Sequence, residues 1–445
     1  MPDNIIFDGN DEASAIGDVI SISSNVLFES YTHEITALED GIIRGIDDDG
    51  NEFEINYQEL EPVKINITAE NARFDFTNIN QTIVLRDDNL ANNNKSFIDG
   101  FGESTVFTNP TKNLTIIGDF GRDILNIEGL DSQFRANIIA NLGSTDKINL
   151  MDLPSTVNNL RLIAGETNLS SNDIQTRGSQ YYGGKLNSPS TIRLSSGSTF
   201  TVTGALDISS DKTLSVNARK TIDVLGGFSS SSQGRLEVTG SLTDDRLTID
   251  FQGNNITANG VSYDGQGIGT DNDWLYIRNY VANAVQHNAF DKSSGSIDID
   301  GRVIEYSNLE PIVDYLVTTN RVFNFLSDKA GTPAINGSFV DPTLLNITSG
   351  DSEDIHFRGG FSLLELIYEG KDQIITISPN VLQAFKTDKN NVVESDVSGP
   401  GHANKRICEF MSNDMIKISE DDDSNKYRYC QLKLESANSN EIRVN

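Results

Sequence analysis

The chain has 445 residues and carries 65 acidic against 34 basic residues, a formal net charge of −31. This surplus argues against nucleic acid and anionic membranes as partners, because both would repel the chain. It fits a well-solvated surface, divalent cations or basic partners. The two cysteines, Cys408 and Cys430, are compatible with a local disulfide or with two free thiols.

Apolar residues make up 37% of the chain, with 36 glycines and only 10 prolines. This composition is typical of many short strands joined by polar turns. No run approaches the roughly 18 apolar residues that a membrane-spanning helix needs, so we expect no membrane span. The N-terminus lacks the basic and apolar regions of an ordinary secretory signal. The protein then stays inside, leaves by a signal read elsewhere, or is a segment of something larger.

Residues 1–56 alternate short apolar pieces with acidic turns and predict an N-terminal β cap region. Residues 57–134 form a first repeat unit, and residues 301–390 form a second. The opening YQELEPVKINITAENARFDF (57–76) returns as YSNLEPIVDYLVTTNRVFNF (306–325), with Arg73 matched to Arg321 after a shift of one position. The stretch 106–130 likewise has a degraded copy at 356–377. Long-range agreement of this kind predicts a duplication. The residues that recur 249 positions on are Tyr57, Leu60, Glu61, Pro62, Asn71, Phe74 and Phe76.

Residues 135–270 predict a train of very short strands, because apolar residues occur in pairs at alternate positions. A sandwich normally has longer strands and more aromatic residues, and a propeller shows a blade repeat near ~40 residues. Three short strands per coil, or ~24 residues, fit a parallel β-solenoid (β-helix), which is the fold that we predict. The pairs are Ile192/Leu194, Phe200/Val202, Leu206/Ile208, Leu214/Val216, Ile222/Val224, Leu236/Val238 and Leu247/Ile249.

Residues 271–300 interrupt this rhythm and are predicted to be a connector with a short helix near 272–286. Trp274, Ile277, Val281 and Ala284 would share one helical face, although the tyrosines and β-branched residues also suit strands. Residues 391–445 contain a Gly/Pro-rich segment and an acidic run before a final alternating stretch. They predict a linker followed by a C-terminal β cap.

Several stretches together resemble the repeat modules of very large bacterial surface and secreted proteins, which combine haemagglutinin-like β-solenoids with degenerate RTX-type units. They are YSNLEPIVD (306–314), ESTVFTNPTKNLTIIGDFGRDILNI (103–127), ANLGSTDKINL (140–150) and NDIQTRGSQYYGGKLNSPSTIRL (172–194). The last is similar to a T-x-G-x-Q-x-Y-x-G coil. The resemblance implies an extracellular β-solenoid with a structural or adhesive role.

Calcium is the most specific chemical hypothesis, with Asp119, Asp123 and Asp146 as candidate ligands. RTX-type turns use glycine for a tight turn and aspartate for a hard oxygen ligand. Residues 118–125 keep part of that pattern and residues 143–148 keep less. The alternative is a turn whose aspartates bond to the backbone.

Catalysis is the minor alternative, because β-helix folds also host enzymes that cleave polysaccharides. Such hydrolysis needs two suitably spaced carboxylates. The pairs Asp87-Asp88 and Asp244-Asp245, and the segment with His402 and Arg406, are the available candidates. We assign no catalytic residues and expect no enzyme.

The sequence therefore predicts an extracellular or cell-surface structural and adhesive protein, an acidic rod in a surface layer (S-layer) or filament. Self-association is the expected partnership, and a cell-surface polysaccharide is a second partner. A carbohydrate-binding or polysaccharide-cleaving β-helix protein is the alternative function.

Overall fold

The computed structural model describes residues 5–8, 19–60, 62–77, 80–118, 121–254, 256–267, 272–325, 334–349, 352–359, 363–369, 374–377, 407–410, 415–419, 429–435 and 442–444. The chain divides into two compact units, unit 1 with residues 1–234 and unit 2 with residues 235–445. Every regular element among the described residues is a β-strand, which confirms the prediction of an all-β protein. In the same residues, no helix is long and apolar enough to cross a membrane.

Unit 1 contains twenty strands in the part of it that the structure describes. They are β1 Ile5–Asp8, β2 Ile20–Ala37, β3 Asp40–Asp47, β4 Glu52–Gln58, β5 Val63–Phe76, β6 Thr82–Asp87, β7 Lys95–Gly100, β8 Glu103–Thr108, β9 Asn113–Gly118, β10 Ile124–Glu128, β11 Asn137–Asn141, β12 Lys147–Asp152, β13 Leu160–Leu169, β14 Asp173–Thr176, β15 Gln180–Ser188, β16 Ile192–Ser196, β17 Thr199–Val202, β18 Leu206–Ile208, β19 Thr213–Ala218 and β20 Thr221–Val224.

Unit 2 contains eighteen strands within the described residues. They are β21 Arg235–Thr239, β22 Arg246–Asp250, β23 Val261–Asp264, β24 Trp274–Arg278, β25 Val281–Ala289, β26 Gly295–Ile299, β27 Arg302–Ser307, β28 Ile312–Asp314, β29 Val317–Phe325, β30 Ala334–Gly337, β31 Leu344–Ser349, β32 Ser352–Arg358, β33 Leu363–Glu369, β34 Ile374–Ile377, β35 Ile407–Phe410, β36 Met415–Ser419, β37 Tyr429–Glu435 and β38 Ile442–Val444.

From β9 onward, parallel strands of unit 1 stack in register at steps of 19 to 24 residues, so that inward side chains form columns. The core is therefore continuous along the stack, and each buried Leu, Ile or Phe stabilises it by about 1.5–3 kcal/mol. One column is Leu114, Ile138, Leu160, Gln180, Phe200 and Ile222. A second is Leu125, Ile148, Thr167, Leu186 and Leu206.

Nine strands of unit 1 close into a ring of mixed direction. Strands β5 and β13 bend, and their two halves pair with different neighbours. Strand β7 forms antiparallel hairpins with β6 and β8, whereas the other contacts of the ring are parallel. This part is not a simple parallel solenoid. In order, the ring is β5, β8, β7, β6, β10, β12, β13, β11 and β9.

The helix predicted near 272–286 is wrong, because this segment forms strands β24 and β25. Leu275 and Ile277 are fully buried, whereas Trp274 and Tyr276, which alternate with them, face outward. Burial in β24 therefore alternates with a period of two residues, as in a strand, and not with the period of a helix. The aromatic and β-branched side chains fit the pleated surface, where they contact neighbouring strands.

The two units contain corresponding hairpins. In unit 1, Gly41 on β3 pairs with Tyr57 on β4, and in unit 2 Gly295 on β26 pairs with Tyr306 on β27. Each glycine faces its partner's ring, where a Cβ would collide with the tyrosine hydroxyl. The ring pairs Phe74/Phe107 and Phe323/Phe357 both have centroids 4.8 Å apart.

Candidate functional site

Two of the three predicted calcium ligands, Asp123 and Asp146, lie side by side in unit 1, while Asp119 falls outside the described residues. Oδ1 of Asp123 accepts a hydrogen bond from the backbone N–H of Gln81 at 2.8 Å. The N–H of Asp123 in turn donates to Oδ1 of Asp146 at 3.0 Å. The two aspartates are only 0% and 1% exposed. Each carboxylate therefore satisfies a backbone donor at the start of a strand in a neighbouring coil.

The same arrangement recurs in unit 2, where the N–H of Asp245 donates to Oδ1 of Asp273 at 2.8 Å. A glycine lies against each of these carboxylates and leaves room for it, because a Cβ there would come within 3 Å of the second carboxylate oxygen. The Gly/Asp spacing in the sequence thus corresponds to a buried corner. The four pairs are Gly118/Asp123, Gly143/Asp146, Gly240/Asp245 and Gly265/Asp273.

Calcium binding at these turns stays a prediction. In the described part of the chain, no group of three or more His, Cys, Asp or Glu is placed to hold a metal ion. We expect Asp146→Ala to destabilise unit 1 by about 1–3 kcal/mol, because the buried N–H of Asp123 loses its acceptor. Asp146→Asn keeps an acceptor oxygen and is expected to lose much less. Urea unfolding in chelator measures both variants.

Repeating the unfolding in millimolar calcium separates the two roles of Asp146. A bound ion would stabilise the native protein and leave the asparagine variant unchanged. Equal losses for the alanine and asparagine variants in chelator would contradict the hydrogen-bonding role.

Two of the carboxylates considered for catalysis, Asp88 and Asp244, accept hydrogen bonds from other residues of their units. Asp88 accepts hydrogen bonds from the N–H of Leu90 and the side-chain amide of Asn93. Asp244 accepts one from the N–H of Asn272. Burial, with the nearby charges of Asp131 and Asp88, raises the pKa of Asp87. His402 and Arg406 lie outside the described residues.

In the T-x-G-x-Q-x-Y-x-G stretch, residues 176–184, the side chains of Gln180 and Tyr182 lie in the core. Gln180 is fully buried, and its amide donates to the carbonyl oxygens of Ile174 and Ser195 at 3.3 and 2.9 Å. The hydroxyl of Tyr182 donates to Oε1 of Gln180 at 3.1 Å. Gly184 has a φ of +95°, a left-handed conformation that favours glycine. The polar residues of this motif therefore form hydrogen bonds inside the coil.

Unit 2 contains a cluster of buried ionisable side chains that the sequence did not predict. Nε2 of His287 is 2.9 Å from Oδ2 of Asp314, and Arg321 forms an ion pair with the same oxygen. A second guanidinium nitrogen of Arg321 donates to the carbonyl of Leu316 at 3.0 Å. The side chains of His287, Asp314 and Arg321 are all buried. Although burial opposes ionisation, Arg321 and His287 hold the pKa of Asp314 below its ordinary value.

Unit 1 has a histidine on β2, His33, which pairs with Phe74 as His287 pairs with Phe323, but its hydrogen-bond partners differ. Nε2 of His33 lies 2.6 Å from the hydroxyl of Tyr57, and Nδ1 lies 3.3 Å from Oγ1 of Thr105. Burial lowers the pKa of His33 to about 3, so this imidazole is neutral at pH 7. Ile65 and Ala72 stand 249 positions before Asp314 and Arg321, so unit 1 has an apolar pair in place of the ion pair.

Glu353 on β32 is a buried carboxyl beside Glu310, Asp354 and Tyr306. Burial, reinforced by the charges of Glu310 and Asp354, raises the pKa of Glu353 to about 10. Its carboxyl therefore stays protonated in the folded protein at pH 7, whereas it ionises in the unfolded chain above its ordinary pKa of 4.5. Its contribution to stability is complete below about pH 4.5 and is lost as the pH rises toward 10.

We expect Glu353→Gln to raise the melting temperature at pH 8 and to change it little at pH 4.5. The amide cannot ionise, so the variant avoids the cost of keeping a carboxyl protonated at high pH. Thermal unfolding at the two pH values measures the difference. The exposed Glu305→Gln makes the same chemical substitution at the surface and serves as control. An equal effect of Glu353→Gln at both pH values would contradict the assignment.

Two asparagine ladders run across neighbouring strands on the outside of unit 1. Each side-chain amide donates to the amide oxygen of the preceding asparagine at 2.7–3.0 Å. They tie successive coils together through their side chains. Apart from the 42-residue step from Asn71 to Asn113, their spacing of about one coil length was the available sequence signal. One ladder is Asn71, Asn113, Asn137 and Asn159, and the other is Asn126, Asn149, Asn168 and Asn187.

No protein-family profile, curated protein or solved structure matches the chain.

Proposed function

We propose that the chain is an extracellular structural and adhesive protein, an acidic rod that works in a surface layer or filament. In this proposal its short parallel strands continue as a β-solenoid, with the antiparallel hairpins as local insertions. The observation that supports this proposal is the in-register stacking of unit 1. Each inward residue pairs with an inward residue on the parallel strand one coil away. The resemblance of its sequence motifs to modules of large bacterial surface proteins supports the extracellular location.

A mechanical role follows from how the coils are joined. Adjacent coils share backbone hydrogen bonds, a packed core and the two asparagine ladders, so separating them breaks three kinds of interaction together. Buried aspartates add a further connection at the corners between Asp123 and Asp146. A stack built in this way resists deformation along its length.

Self-association is expected to depend on salt, because copies with a net charge of −31 repel each other. Raising the ionic strength from about 0.01 M to about 0.15 M shortens the Debye length from about 30 Å to about 8 Å. We therefore expect filaments or lattices to appear with increasing protein concentration at the higher salt and to dissociate at the lower. Negative-stain microscopy and sedimentation velocity measure this. A chain that stays monomeric at every concentration in both salts would refute the filament.

A further inference from the structure

The outer face of unit 2 carries a pair of stacked aromatic rings. Trp274 and Tyr276 lie outward on β24, with centroids 5.6 Å apart and ring planes within 18°. Both rings are half-buried, and they pack against each other on the sheet surface while Leu275 and Ile277 fill the core. Trp274 is the only tryptophan in the chain. The two stacked rings form an apolar aromatic surface on this face of the sheet.

Two further rings extend this surface. On neighbouring strands, Tyr276 pairs with Val313, and Val313 pairs with His356. The Cα atoms of Tyr276 and His356 are therefore about 10 Å apart, which is two strand spacings. Phe339 is 73% exposed and lies edge-on against the His356 ring, with centroids 4.6 Å apart. Tyr315 is half-buried, and its hydroxyl donates to Oδ2 of Asp341 at 3.1 Å. We call Trp274, Tyr276, Tyr315 and Phe339 the aromatic platform.

Charged groups lie along the platform with their geometry fixed. Nε of Arg278 donates to Oδ2 of Asp250 at 2.9 Å, and the Arg278 side chain remains 44% exposed. The side-chain amide of Asn279 donates to the same carboxylate at 2.8 Å. Asp341 also accepts from the hydroxyl and N–H of Thr343, which holds its carboxylate in place. An apolar patch with polar groups at its edge is typical of a ligand-binding surface.

The chemistry of this surface selects one class of ligand. A sugar ring has an apolar C–H face that packs on an aromatic ring, and hydroxyl groups at its edge that bond to charged side chains. A nucleic acid would also stack, but its phosphates are repelled by a net charge of −31. An extended peptide commonly pairs with a strand edge, whereas the platform lies on a sheet face whose main chain is already paired.

We propose that the aromatic platform binds a neutral glycan chain, with the sugar rings packed on Trp274, Tyr276 and Phe339. This inference deepens the adhesive part of the proposed function by naming the class of ligand. The acidic surface disfavours uronic-acid polymers for the same electrostatic reason that it disfavours nucleic acids. The glycan need not assemble the protein, so its binding and filament formation are measured separately.

The test uses the full chain on an array of neutral and acidic oligosaccharides. The best-retained soluble oligosaccharide is then titrated while Trp274 fluorescence is followed. We expect binding to neutral oligosaccharides only, with a saturable change in emission. Tyr276→Ala and Phe339→Ala should each weaken binding at least tenfold, whereas Tyr181→Ala, a half-buried tyrosine of unit 1, should bind as the native chain does. Far-UV circular dichroism checks that each variant is folded.

Retention of no neutral oligosaccharide would overturn the proposal, as would binding confined to acidic ones. Binding that survives in both platform variants would place the glycan elsewhere and would equally refute it. Filaments formed by a protein that binds no glycan would leave the structural role standing and remove this ligand. Conversely, glycan binding by a chain that never assembles would uphold the platform and refute the filament.

Discussion

Asp314→Ile and Arg321→Ala are each expected to destabilise unit 2 by about 3–5 kcal/mol. Either change leaves one charge of the buried ion pair in the core without its opposite charge. Both side chains are fully buried, so water cannot replace the missing partner. Urea unfolding followed by fluorescence measures the loss, because Trp274 lies in the same unit.

The double variant Asp314→Ile/Arg321→Ala is the matched control. It places in unit 2 the residues that unit 1 has at the corresponding positions, Ile65 and Ala72. Removing both charges together leaves neither uncompensated, so its loss should be much smaller than the sum of the two single losses. Lys292→Ala breaks an ion pair whose lysine is 71% exposed and should change stability by less than about 1 kcal/mol. Strict additivity of the two core variants would refute the coupling.

Gly204→Ala is expected to destabilise unit 1 by about 3 kcal/mol. Gly184, Gly204 and Gly226 stack at one corner of successive coils, and a Cβ on Gly204 would overlap the backbone carbonyl of Gly184. A backbone carbonyl cannot rotate away as a side chain can, so the coils must separate. Calorimetry of the full chain reads this as a lower melting temperature for the transition of unit 1.

Gly337→Ala provides the comparison, because a Cβ there has no atom within 4 Å and its φ is not in the left-handed region. We expect its effect to stay within about 0.5 kcal/mol. If Gly204→Ala were equally mild, the corner would not be as closely packed as the structure indicates. The contrast isolates coil packing from the general effect of replacing glycine.

Local alternation made the strands predictable. The seven apolar pairs of the central train all lie in short strands with both members buried. The alternation of apolar and polar residues can be read from a short stretch of sequence, because successive side chains point to opposite faces of any strand. The segment near Trp274 was misassigned because its apolar residues fit both periods, and contacts with neighbouring strands decided between them.

The alignment of the two repeats misplaced Arg321. The sequence matched it to Arg73 after a shift of one position. In the structure, however, Phe74 pairs with His33 as Phe323 pairs with His287, so the two repeats correspond without a shift. Ala72 therefore occupies the place of Arg321, while Arg73 is exposed and paired with Asp75. One residue of register reverses the face of a strand, which separates a buried charge from a surface one.

By itself the sequence determined the all-β class, the glycine-containing turns and the alternation of buried and exposed side chains. The tertiary structure alone decided which strands meet and in which register. The Asp123–Asp146 contact, the asparagine ladders, the Asp314–Arg321 ion pair and the aromatic platform all depend on that decision. Apart from Trp274 and Tyr276, which share β24, neighbouring members come from different segments of the chain, seven residues apart for Asp314 and Arg321 and sixty-five for Trp274 and Phe339. Register is set by packing across whole coils, a sum of many small contacts that no short stretch of sequence contains.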